Sequence, residues 1–135
     1  MNDLSIHELR RILGWCFAFT SLLHFLVPLW RIAYRMYRHY TILIPSTLLS
    51  VTFFWVAAII FGVAWWTVWK GRPSAKGWGI AASLTYFLIF FLHSVIFPER
   101  SIFGHHVGAL IVGTIGMVSF LRHDEQHDPK ASPPR

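Results

Sequence analysis

Four stretches of the chain are apolar over about the 20 residues that a helix needs to cross a hydrocarbon core. They run from Ile12 to Trp30, Thr47 to Trp69, Gly77 to Phe97 and Ile102 to Leu121, and none of them holds Asp, Glu, Lys or Arg. The breaks between them carry helix-stopping and polar residues: an Arg-rich stretch ending at Pro45, the segment from Lys70 to Gly77 with Gly71 and Pro73, and the turn Pro98-Glu99-Arg100-Ser101. The pattern predicts an all-α fold, a polytopic integral membrane four-helix bundle with short connections. Residues 122–135 are polar and Pro-rich without periodicity, and read as a flexible polar tail.

Arg10 and Arg11 precede the first run as they would in a signal peptide, yet the run is longer than a signal's apolar region and ends in Pro28-Leu29-Trp30. It reads as an uncleaved signal anchor. Four spans leave both termini and the middle connection on one side, with eight of the twelve basic residues there, so the positive-inside rule puts both termini in the cytoplasm of an inner membrane. On the other side Arg31, Arg35 and Arg38 recur at helical spacing beside Tyr34, Tyr37 and Tyr40. The first helix is expected to continue into the headgroup zone, with those arginines on lipid phosphates.

Composition agrees with this reading: 55% of the residues are hydrophobic and only 13% charged, too apolar for a small water-soluble domain. The net charge of +6 would raise the question of nucleic acid in a soluble protein. Here the charges flank apolar runs, so a lipid bilayer is the expected anionic partner and nucleic acid is not. Cys16 is the single cysteine and lies in an apolar run, so it reads as a small buried hydrophobe.

Histidines are the only ionisable side chains of the runs that titrate near neutrality, and each calls for a role because polar groups are costly in lipid. His24 and His93 fall toward the same outer leaflet, where the fourth run begins with Gly104-His105-His106. Imidazole is the usual axial ligand of haem b and can also bind the magnesium of chlorophyll or a transition metal. His24, His93, His105 and His106 are therefore candidate cofactor ligands, although a neutral histidine can equally tie two helices by a hydrogen bond. His105 and His106 are adjacent and point about 100 degrees apart, so one of the two at most faces a shared site. His123 and His127 lack the arrangement of a zinc-binding helix, and no separate metal site is expected.

Pro28 cannot donate to the carbonyl of His24, so a kink and a freed acceptor are expected there. Thr20, His24 and Pro28 share a stripe, with Tyr86 on the third run as a further polar group, and together they are the candidate wall of a ligand pocket. In the fourth run Gly104, Gly108 and Gly116 fall on one stripe and Ala109 and Gly113 on the next, which permits close helix packing. No intramembrane carboxylate exists to couple ion movement, and no carboxylate pair or Ser-His-Asp set lies in the runs, so no enzyme activity is expected.

The opening Arg10-Arg11-Ile12-Leu13-Gly14-Trp15, then Leu22-Leu23-His24-Phe25 with Pro28, and Ile44-Pro45 before the second run, resembles the DoxX-like group of small bacterial four-helix membrane proteins. The resemblance implies a membrane subunit associated with a redox or quinone-linked partner. It departs in the second run, where an acidic residue is frequent in that group and none occurs here. The reading that follows is a non-enzymatic accessory subunit, packed against other membrane subunits or copies of itself, in a redox or energy-converting complex. The alternatives are an electron-transfer protein holding haem, chlorophyll or a metal on its histidines, and a protein binding a quinone or another small molecule.

Overall fold

The computed structural model describes residues 5–39, 45–96 and 103–122. Among the described residues the chain is all-helical: α1 (Ile6–His39), α2 (Pro45–Trp69), α3 (Ala75–Ile96) and α4 (Phe103–Leu121). Each apolar run corresponds to one helix. The turn at 98–101 and the tail from 123 onward lie outside the described residues. Three helices contain segments long and apolar enough to cross a membrane, Ile6–Tyr34, Val51–Trp69 and Ala75–Leu92, while the corresponding segment of α4, Val107–Leu121, is shorter.

The helix ends follow local chemistry. Ser5 and Glu8 form a capping box: the Ser5 amide donates to Glu8 Oε2 at 2.9 Å, and the Glu8 amide donates to Ser5 Oγ at 3.3 Å. This starts α1 six residues before its apolar run. The helix then continues through Pro28 as a single element of 34 residues, about 51 Å at 1.5 Å per residue. Pro45, already at a favourable φ and needing no amide donor, is the first residue of α2. At the other end of α2, Gly71 takes φ 58°, its amide donates to the Val68 carbonyl, and the Arg72 amide donates to that of Thr67. That pair of bonds is a Schellman motif, and it makes the α2–α3 connection a fixed turn.

Helices adjacent in sequence pack antiparallel, and the pairing is set by small residues facing large ones. Between α1 and α2, a Cβ on Gly14 would stand 3.3 Å from Val68, and one on Gly62 would stand 3.2 Å from Ser21 Oγ. Phe25 stacks on Trp55 farther along. Between α3 and α4, Gly79 faces Phe120, Ser83 faces Gly116, and Tyr86 faces Gly113. Glycine lets the two backbones approach closely enough for van der Waals contact along the helix pair. The core is consequently narrow, built on Phe17, Phe61, Tyr86 and Phe120 with Leu13, Ala57, Ala64 and Ala82.

Outside that core all four helices present apolar side chains: Trp15 and Phe19 on α1, Ile59 on α2, Phe91 on α3, Ile111 and Val118 on α4. Phe19 and Ile59 are each 64% exposed, a distribution suited to a hydrocarbon solvent.

The bundle closes where α4 meets α1. The Arg10 guanidinium donates through Nε (3.2 Å) and a terminal nitrogen (3.1 Å) to the Ser119 carbonyl, and that nitrogen reaches the Arg122 carbonyl at 3.4 Å. It also lies 5.6 Å from the centre of the Phe120 ring. The last carbonyls of a helix have no partner of their own and carry partial negative charge, so a cation placed there satisfies both needs.

Two outcomes follow for thermal unfolding in detergent. Gly79→Ala places a methyl 2.6 Å from the buried Phe120 ring, and should cost about 1–3 kcal/mol by overpacking, with Phe120→Leu restoring part of the loss. Arg10→Gln should cost about 1.5–3 kcal/mol as charged hydrogen bonds are lost, and Arg10→Lys should recover only a fraction, having no fork to offer. An unchanged melting temperature for Arg10→Gln would show that the guanidinium does not hold the helices together.

Candidate functional site

A hydroxyl in an apolar helix normally donates to the carbonyl one turn back in its own helix. Thr67, Ser83, Thr85, Thr114 and Ser119 all do so, at 2.6–2.9 Å. Two residues of α1 depart from this habit, and they are adjacent. Ser21 Oγ donates to the Ala58 carbonyl of α2 at 2.8 Å, and the Thr20 hydroxyl bonds the Tyr86 hydroxyl of α3. Neighbouring positions on a helix point about 100 degrees apart, so one turn of α1 ties itself to two different helices.

Around this point lie the main aromatic contacts of the core. Tyr86 is 7% exposed, with its ring 4.6 Å from that of Phe61 and 6.2 Å from that of Phe17. One turn farther along α1, His24 Nδ1 meets the Thr20 carbonyl at 2.8 Å, and the imidazole packs beside Phe54 and Phe61 at 5.3 and 5.6 Å. A carbonyl can only accept, so Nδ1 carries a proton and, in the neutral ring, Nε2 is the nitrogen able to accept or to ligate. Pro28, the next position on the stripe, is buried. Thr20, His24 and Tyr86 thus form one polar seam through the apolar centre, with Pro28 closing its stripe.

The seam has definite chemical capacity. Two hydroxyls carry two protons and their mutual bond uses one, so the Thr20–Tyr86 pair can still donate to a further acceptor. The carbonyl oxygen of a quinone or lipid ester is such an acceptor.

Of the four candidate ligand histidines, His24 has a described side chain; those of His93, His105 and His106 lie outside the described residues, as do those of Arg31, Arg35 and Arg38. Backbone register still relates some of them. The facing pairs Gly79–Phe120, Ser83–Gly116 and Tyr86–Gly113, continued by two further turns, bring position 93 of α3 level with position 106 of α4. The Thr20–Tyr86 bond between the parallel helices α1 and α3 puts position 93 about one turn beyond His24.

The small residues of α4 divide. Gly113 and Gly116 receive α3, and Ala109 packs against the core. Gly108 has open space at its Cβ position, and the side of Gly104 lies outside the described residues. Residues to which the sequence pattern assigns no part in the site or its packing complete the arrangement: Ser21, Ser83, Gly79 and Arg10. A Ser or Gly in an apolar run carries no mark of which neighbour it faces, although the heptad-like spacing of Gly79, Ser83 and Tyr86 was a usable signal. Trp65 Nε1 is buried without a hydrogen-bond partner among the described residues.

A scan against protein-family models finds no match, and searches of curated proteins and of solved structures return none either. The site is therefore read from this chain's own residues.

The cross-bundle bond can be measured by a double-mutant cycle of Thr20→Val and Tyr86→Phe in thermal or denaturant unfolding. The expected coupling is about 0.6 kcal/mol, and at most about 1.7 kcal/mol, the average and maximum found for hydrogen bonds between membrane helices. Strict additivity would mean that the two hydroxyls do not bind each other.

Proposed function

We propose that the chain is a small multi-pass inner-membrane protein that acts by assembly rather than catalysis, an accessory subunit of a larger redox or energy-converting complex. On this reading α4 is the fourth span: its 19 residues rise about 28 Å, close to the hydrocarbon thickness. Both termini then lie in the cytoplasm, as the excess of basic residues on that side favours. The resemblance to the DoxX-like group belongs to the same proposal, and points toward a redox or quinone-linked partner.

The observation that carries the reading is the outer surface. Apolar residues stand exposed on all four helices, and on α4 Gly108 leaves open space beside exposed Val107 and Ile111. Lipid covers an apolar face of any shape, whereas a bare glycine in such a face is where another helix can approach most closely.

A second reading has its own support in the orientation of His24. A histidine whose Nδ1 donates to a carbonyl is held in the tautomer and orientation common among metal-bound histidines. In that reading the protein carries haem, chlorophyll or a metal, with His24, His93 and His106 as the ligands to test.

One preparation separates the two. The protein is purified from its host in mild detergent and examined for mass and for oxidised and dithionite-reduced absorption. Assembly predicts a fixed ratio of other membrane subunits, or of further copies, released by Gly108→Leu. A free monomer of 15.6 kDa would sink it. A stoichiometric Soret or chlorophyll band, abolished by His24→Ala, would put the second reading first, and a spectrum of Trp and Tyr alone would remove it.

A further inference from the structure

The α2–α3 turn and the helix ends beside it concentrate charge of one sign. Arg11, Lys70, Arg72, Lys76 and Arg122 are exposed there, while Arg10 is occupied by the α4 carbonyls. Glu8 is the single acid among the described residues, and its carboxylate takes the Ser5 amide.

Tryptophans stand at the same level. Trp66, Trp69 and Trp78 are 46%, 54% and 37% exposed, and Lys70 Nζ lies 4.9 Å from the centre of the Trp66 ring. That contact places the ammonium where an indole prefers to sit, between hydrocarbon and headgroups. The turn is also held before any ligand arrives: the Schellman bonds of Gly71 and Arg72, followed by the Ala75 amide on the Arg72 carbonyl at 2.9 Å, fix the backbone between the cations. Charges on a fixed backbone bind with less ordering cost than charges on a mobile loop.

We propose that the Lys70–Lys76 turn is a docking surface for anionic phospholipid headgroups, which it selects over zwitterionic ones. This rests on the reading that the bundle lies in a bilayer. The phosphodiester of a lipid such as phosphatidylglycerol carries a negative charge that its headgroup leaves uncompensated, and several such headgroups fit Lys70, Arg72 and Lys76, while the indoles of Trp66, Trp69 and Trp78 lie against the glycerol and upper acyl chains. An amine-bearing zwitterionic headgroup brings a positive charge to the same surface and is disfavoured.

The test uses the full chain reconstituted in mixed vesicles in which either phosphatidylglycerol or phosphatidylcholine carries bromine on its acyl chains, with tryptophan fluorescence as the readout. Brominated phosphatidylglycerol should quench with a relative association constant at least about threefold above brominated phosphatidylcholine, given that one basic residue near an anionic surface is worth about fivefold. Lys70→Gln, Arg72→Gln and Lys76→Gln together should bring the ratio to unity, as should about 1 M salt on the unaltered protein. Equal quenching by the two lipids would overturn the docking surface and leave the membrane reading standing. A preference that survives both the triple substitution and the salt would overturn it as well, since the selectivity would then arise elsewhere. Absence of quenching by either lipid would overturn the membrane reading together with it.

Discussion

A polar group packed among apolar side chains has no water to turn to, and must find its partner inside the protein. This constraint decides how α1 is held. Had Thr20 and Ser21 donated back into their own helix, as Thr67, Ser83, Thr85, Thr114 and Ser119 do, α1 would rest on its neighbours by shape alone. Instead the two hydroxyls leave the helix in different directions, one to Tyr86 and one to the Ala58 carbonyl. Arg10 applies the same rule to backbone, giving the end of α4 the donors it lacks. Directional bonds at two levels of α1 fix its rotation and its height, and the aromatic core then packs around an axis already defined.

Shape does the rest between consecutive helices. Glycines at positions 14 and 62 face large or polar partners across α1 and α2, and those at 79, 113 and 116 do so across α3 and α4. These contacts keep the backbones close, and they leave little room for a wide interior. The polar seam therefore lies in a tight aromatic setting, with His24 beside Phe54 and Phe61. Any ligand reaching it would have to compete with the protein's own hydrogen bonds.

The helices were legible because an apolar run of about 20 residues has few other outcomes, and because Pro and Gly mark the breaks. The true start of α1 was less visible: the capping box of Ser5 and Glu8 sits before the hydrophobic pattern begins. Thr20, His24 and Tyr86 stood out as polar groups in apolar surroundings, yet their meeting depends on rotation and register, which one sequence barely constrains. Arg10 shows the limit most clearly. From sequence it is one more cation flanking a span, and nothing local says that its partners lie on the last turn of α4. The glycines of α4 divided for the same reason, since Gly108 and Gly113 look alike until the neighbouring helix is in place.

Arg10 and the Ser119 carbonyl are separated by 109 positions. During synthesis α1 is made before its partner exists, so the guanidinium has no Ser119 carbonyl to donate to until the last turn of α4 has been completed. The α1–α2 and α3–α4 pairs can meanwhile form as independent hairpins, each from neighbouring sequence. Their union rests on the α2–α3 contact, the Thr20–Tyr86 bond and the guanidinium, of which the last requires the most distant parts of the sequence. A chain lacking the last turn of α4 would lose both the Gly79–Phe120 contact and the carbonyl that Arg10 holds, and would be left unfastened along the seam between α1 and α4.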